Sequence, residues 1–345
     1  MAKSLPVNSQ LDFFSLTPDA VLGAVEQALD PTGKIRATGR CFVHASMENR
    51  VYEIELEEPL AGVGGKVIAK FYRPGRWSHA ALVQEHDFLR ELSEAEVPVV
   101  APIAMAGAEG KTLHQTSFGV FFSLFPKVGG RVKEELQEAE LLQIGRLLAR
   151  LHTVGAAHPA ADRPRLTPAE YLLPALHSLL QSGLVDMQLQ SRYERAARTL
   201  FRMAEPLWQG LTLHRVHGDC HGGNLLWQPS GPVFLDFDDL MMAPAVQDLW
   251  MVVRGRDAEA TQQREIIIEG YEQIRDFDRR TLRMIEALRG IRMIHYASWV
   301  AKRYADPIFV RTFPEFPTYA HWADETATLE EQIGLIEEPT GHSGY

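Results

Sequence analysis

The apolar pattern of this sequence predicts an α+β chain in two lobes, a small β-rich lobe over residues 1–127 and a larger, mainly α-helical lobe over residues 128–345. Three observations carry that expectation. Strand-like runs separated by turn formers occupy Ile35 to Tyr72, and helix-spaced apolar positions recur from Leu141 to Tyr304. Between them an apolar strand, Phe118 to Phe125, ends at Pro126-Lys127-Val128-Gly129-Gly130, and the lobe boundary is placed there. A length of 345 residues suits roughly two domains, and 46% hydrophobic content is ample for their cores.

In the small lobe, Arg50 to Leu56 and Lys66 to Tyr72 read as strands joined through the turn signal Gly62-Val63-Gly64-Gly65. Lys70 lies inside the second strand among Ile68, Ala69, Phe71 and Tyr72. A charge embedded in an apolar strand needs a partner, because an unpaired buried charge is costly. Ser78 to Leu92 supplies one: Leu82, Glu85, Leu89 and Leu92 are spaced three, four and three apart. That periodicity puts Glu85 on the apolar stripe of a helix, facing the sheet.

In the large lobe, Leu141, Ile144, Leu148 and Leu151 mark an amphipathic helix that ends near His152. Further helical patterns cover Pro168 to Gln181, Leu189 to Trp208, Ala245 to Arg254, Thr261 to Ile274 and Thr281 to Tyr304. Among them lies H-G-D-C-H-G-G-N-L-L-W-Q-P-S-G-P-V-F-L-D-F-D-D, residues 217–239, expected as a β island packed on helices. Leu225 to Trp227 and Val233 to Leu235 flank a run of turn formers and so read as a hairpin. Centred on Ser230, the hairpin sets Asn224 opposite Asp236, with Cβ atoms roughly 5 Å apart. A carboxylate with an amide oxygen suits a hard cation such as Mg2+, which takes its other ligands from water and phosphates. Asp219, on the Gly-rich loop before the first strand, is placed to accept a proton from an incoming hydroxyl. Such a set of groups serves phosphoryl transfer.

The net charge of −10 argues against a general nucleic-acid binder. Cys41 and Cys220 are far apart and form no C-x-x-C pair, which fits a reducing cytoplasm better than a disulfide framework or a zinc site. The first ten residues lack the features of a signal peptide, and Phe118 to Phe125 is far short of the roughly 20 residues that cross a bilayer. A soluble cytoplasmic protein is expected, with a polar tail over Glu337 to Tyr345 that frays.

The spacing of Asp219, Asn224 and Asp236 resembles the H-x-D-x-x-x-x-N and D-F-G elements of protein kinases. The H-G-D form looks like the aminoglycoside phosphotransferase and choline kinase branch of that fold. With G-R-C-F-V-H-A-S-M-E-N-R-V-Y, K-F-Y-R-P-G-R-W and A-P-A-V-Q-D-L-W-M, the chain is similar to the bacterial stress response kinase A (YihE/RdoA) family from about Leu16 to Trp322. The resemblance implies a two-lobed protein-kinase-like fold and an ATP- and Mg2+-dependent serine/threonine kinase of the bacterial stress response that protects cells from stress-induced death. It casts Asp219 and Asp236 as catalytic, Asn224 and Asp236 as metal ligands, and Lys70 with Glu85 as the ion pair on the ATP phosphates. Ser46, in a loop without glycine, becomes the residue nearest the nucleotide, with an ordinary hairpin turn as the alternative.

The expected partner is a protein with a Ser or Thr acceptor, with neither nucleic acid nor membrane, and a monomer is compatible with this. A small-molecule kinase and a non-catalytic ATP-binding protein remain as alternatives. His217 is expected to hold backbone and Asp248 to brace the loop or a helix dipole. A zinc cluster of His217, Asp219, Cys220 and His221 is the minority reading. Asp238 stands where protein kinases have Gly and is read as a solvated acidic turn or a second metal ligand. Five residues between Asp238 and Pro244 leave no room for a long activation loop.

Overall fold

The computed structural model describes residues 13–104 and 110–337; the N-terminal ten residues and most of the polar tail lie outside the described residues. The chain forms two compact units. One runs to Glu134 and takes in Gly223–Asp238; the other comprises Glu135–Gly222 and the chain from Asp239 onward.

In chain order the first unit contributes α1 (Pro18–Leu29), β1 (Ala37–His44), β2 (Arg50–Leu60), β3 (Gly64–Phe71), α2 (His79–Glu94), β4 (Leu113–Gln115) and β5 (Phe121–Pro126). The second begins with α3 (Glu138–Ala157), α4 (Leu173–Gln181), α5 (Gln190–Ala204) and β6 (His214–Val216). The hairpin β7 (Leu225–Gln228) and β8 (Gly231–Phe234) returns to the first unit. The second is completed by β9 (Met241–Ala243), α6 (Val246–Val252), α7 (Ala258–Glu272), α8 (Ile285–Arg303), α9 (Pro307–Thr312) and α10 (Tyr319–Glu337). The first unit is thus a sheet with few helices and the second a helical body, the α+β division expected. None of the described helices is long and apolar enough to cross a membrane.

The sheet of the first unit is antiparallel in the order β1-β2-β3-β5-β4. Helix α1, which the sequence reading did not anticipate, is capped by Thr17 and buries Val21, Val25 and Leu29 in a core shared with Ile54, Val67, Phe71, Phe122 and Leu124. Ser78 caps α2, and Glu85 lies on its buried face with Leu82, Leu89 and Leu92, as the spacing predicts. The hairpin is not packed as an island on helices. Its strands hydrogen-bond within the first unit, where Phe234 N–H donates to the Pro98 carbonyl and Trp227 exchanges backbone hydrogen bonds with Arg131.

In the second unit α3 runs past the expected end at His152 to Ala157. Gly155 permits this, since a Cβ there would stand 2.1 Å from the Arg215 carbonyl oxygen of the neighbouring β6. Strand β6 pairs with β9 immediately before and after the segment of interest, which fixes both ends of that segment.

Candidate active site

The first unit carries a cluster of charged side chains built around Lys70. On β3, the central strand of the sheet, it pairs with Val51 and Ser123 and is only 8% exposed. Its ammonium is 2.7 Å from Asp236 Oδ1, 3.5 Å from Asp238 Oδ1 and 4.0 Å from Glu85 Oε1. Burial works against the charged amine, yet Asp236, Asp238 and Glu85 outweigh it and hold Lys70 well above its ordinary value. The partner inferred from periodicity, Glu85, is therefore present at the edge of ion-pair range. The nearest partner is Asp236, 166 residues away in sequence.

Hairpin register decides how Asp236 reaches that place. Leu225 pairs with Phe234 and Gln228 with Gly231, so the turn is Pro229-Ser230 and the axis falls half a residue before Ser230. Asn224 therefore stands opposite Leu235, whose N–H donates to the Asn224 carbonyl at 2.9 Å. This corrects the expected pairing of Asn224 with Asp236. A two-residue turn is the tighter closure, and moving the axis by half a residue moves every partner by one. Asp236 comes just after the ladder, with φ of 58°, a left-handed conformation that Asp tolerates better than most residues. Its side chain is 53% exposed.

Asp238 is not a solvated turn. It is 3% exposed, forms an ion pair with Arg76, and accepts from Asn49 Nδ2 at 3.2 Å. Asn49 Oδ1 in turn accepts from the Arg73 backbone, and the Arg73 guanidinium donates to the carbonyls of Met47 and Glu48. Ser46 lies in this braced β1–β2 loop, half-buried, with its Oγ accepting from the Asn49 N–H at 3.2 Å. Among the described residues the carboxylates of Glu48, Glu85, Asp236 and Asp238 meet the basic groups of Lys70, Arg73 and Arg76. The exposed carboxylate of Asp236 and the amide of Asn224, on the same hairpin segment, are oxygen donors of the kind a hard divalent cation takes.

The second unit carries the loop His217–Gly222. Asp248, fully buried in the first turn of α6, accepts from the backbone N–H of His217 at 2.8 Å and of Gly218 at 2.9 Å, and contacts His152 Nε2 at 3.0 Å. Burial alone would raise this carboxyl; the hydrogen bond and charge of His152, with His217 and the Gly218 N–H, hold it below its usual range. Gln247 Nε2 donates to the Gly218 carbonyl, so adjacent residues of α6 clamp both backbone faces of the loop. Gly218 has φ of 87°, and a Cβ there would lie 2.1 Å from the Asp239 carbonyl oxygen. His217 is buried and accepts the Asp219 N–H on Nδ1 at 3.3 Å, the backbone-holding geometry expected of it.

Asp219 emerges from this scaffold 20% exposed, with Oδ1 3.0 Å from Arg292 and Oδ2 3.5 Å from His221. Burial, then the charges of Asp248 and Asp219, push the Cys220 thiol well above its ordinary value. Among the described residues no group of three His, Cys, Asp or Glu could hold a metal ion. Sequence reasoning missed Arg76, Asn49, His152, Gln247 and Arg292. Only the Gln247-Asp248 pair, both inward-facing on one short helix, carried a local signal.

Comparison with known proteins shows the family of the chain. Residues 41–285 match the model of the phosphotransferase enzyme family. Over 335 residues the chain is 37% identical to stress response kinase A of Escherichia coli (strain K12), covering 96% of this chain and 97% of that protein. It is 38% identical over 297 residues to the serine/threonine protein kinase RdoA of Salmonella typhimurium, covering 85% and 87%. Among solved structures, the amicoumacin kinase hAmiN in complex with AMP-PNP, Ca2+ and Ami matches with a TM-score of 0.65 at 21% identity, covering 88% of this chain and 89% of that one. That likeness establishes the kinase-like fold.

Proposed function

Because the chain belongs to the stress response kinase A group of the phosphotransferase enzyme family, we propose that it transfers the γ-phosphoryl group of MgATP to a Ser or Thr hydroxyl of a protein. The observation that carries this reading is the buried Lys70 held 2.7 Å from the exposed Asp236, an ammonium for phosphate oxygens beside a carboxylate for a cation.

In this reading Lys70, kept charged by Glu85 and Asp238, binds the α- and β-phosphates. The β1–β2 loop with Ser46 turns its backbone toward them. Asn224 and Asp236 hold Mg2+, which would neutralise charge on the phosphates when bound. Asp219 orients the acceptor: the hydroxyl oxygen forms the new bond to phosphorus as the bond to the β-phosphate oxygen breaks. The hydroxyl proton passes to the Asp219 carboxylate and ADP leaves. The Asp248 clamp on His217 and Gly218 fixes Asp219, so that positioning supplies most of the rate. A role in the bacterial stress response is the reading that the name of the relative in Escherichia coli supports. The likeness to hAmiN keeps a small-molecule acceptor as the second reading.

Asp219→Ala tests the mechanism. ADP release with a generic protein acceptor should fall by about a thousandfold or more, while MgATP affinity stays within about twofold by calorimetry. Unchanged turnover in the variant would remove Asp219 from the chemistry.

A further inference from the structure

The second unit holds a cavity of about 390 Å3 whose lining includes four arginines. Trp250 on α6, Arg254 and Arg256 just beyond it, and Arg289, Arg292 and Tyr296 on α8 form its walls. The three α8 residues are spaced three and four apart and so share one face of that helix. Glu331 on α10 is the one carboxylate in the lining. Four guanidinium groups in one cavity run against a composition of 35 Lys and Arg to 45 Asp and Glu.

The four are not equivalent. Arg256 donates to Glu286 and Gln332, and Arg289 pairs with Glu286 while lying over the Trp250 ring. Arg292 reaches Asp219 Oδ1. Arg254 has no hydrogen bond or ion pair with any described residue. Burial, and then the charge of Arg292, push the Arg254 guanidinium below its usual value, whereas Asp219 pulls the other way. Two like charges thus converge beside one carboxylate, an arrangement that an added anion relieves.

We propose that this cavity receives the phosphoryl acceptor and that the acceptor is anionic, with a carboxylate or phosphate beside its reacting hydroxyl for Arg254 and Arg292 to clasp. The proposal deepens the phosphotransferase reading and rests on it. Guanidinium groups bind such oxyanions in bidentate fashion, and a cationic alcohol in the same place meets repulsion. The contact of Arg292 with Asp219 adds a coupling. An anion that draws Arg292 to itself releases Oδ1 to take the hydroxyl proton, so the correct acceptor completes the base that acts on it.

The test is binding to the full-length protein in MgADP, by calorimetry, of two matched pairs of probes. One pair is a serine peptide flanked by glutamates and its lysine-flanked twin; the other is glycerol 3-phosphate and choline. We expect the anionic member of at least one pair to bind at least about tenfold tighter than its cationic twin. Which pair discriminates tells whether the charge comes from a protein segment or a small molecule. Arg254→Gln should lose about tenfold in that affinity with its unfolding midpoint unchanged, and Arg254→Lys, which keeps the charge but not the bidentate fork, should lose less than Arg254→Gln.

Equal or tighter binding of both cationic probes, no binding of any probe, or full anion affinity in Arg254→Gln would each overturn the proposal. Anion binding without turnover of MgATP by any probe would break the phosphotransferase reading instead. Turnover with no preference for anions would break this proposal alone.

Discussion

Around Asp236 and Asp238 the first unit gathers carboxylates against Lys70, Arg73 and Arg76, whereas around Asp248 the second unit answers a single carboxylate with two backbone N–H groups and one imidazole. The first cluster has cationic side chains as partners and an aspartate that is 53% exposed. The second has a fully buried aspartate whose backbone partners cannot move without remodelling the loop. Charge pairs of the first kind can trade a partner for a ligand. A carboxylate of the second kind fixes the position of other groups and stays out of the chemistry.

The largest effect that sharpens this contrast is on activity. Asp236→Asn should lower the ATP-dependent transfer rate by roughly a hundred- to a thousandfold, the usual effect of removing one charge-stabilising group. Its cost in stability should stay near or below about 1 kcal/mol, because the lost pair is half-exposed on the Asp236 side. Lys70 keeps Asp238 and Glu85 within reach. Asp248→Ala should behave in the opposite sense. It strands two buried N–H donors and His152, and should cost about 3–5 kcal/mol in urea unfolding. Comparable destabilisation by both substitutions would erase the distinction between them.

Much of this contrast was legible in the sequence, and its limits have physical causes. Lys70 stood out because a lone cation in an apolar strand is costly, and helical periodicity found Glu85 without any tertiary information. Asp236 could not be found as the nearer partner, since a contact across 166 residues leaves no local periodic trace. The hairpin was legible as a hairpin, whereas its register rested on whether Ser230 or the Pro229-Ser230 bond lies at the centre, and the sequence Q-P-S-G-P permits both. Of the two readings of Asp238, a solvated turn or a second metal ligand, the solvated turn fails because Arg76 and Asn49, which bury it, arrive from distant elements. Arg292 looked like any exposed helical arginine. Its meaning comes from the fold that brings α8 to the His217–Gly222 loop.

pH offers the finest separation of the two clusters. Asp248 titrates below its unfolded value of about 3.9, so the native state binds fewer protons than the unfolded chain as the solution is acidified. Its contribution to stability is complete above about pH 5 and is lost as pH falls through the folded value. Lys70 titrates well above its unfolded value of about 10.4, so its contribution is complete below that value and is lost as pH rises through the folded one. Unfolding free energies measured across pH should therefore show a shallower acid limb in Asp248→Asn and a shallower alkaline limb in Lys70→Met. If Lys70→Met flattened the acid limb instead, the carboxylates around it would hold their charge only by virtue of that one ammonium. The first cluster would then be a structural brace of the same kind as the second.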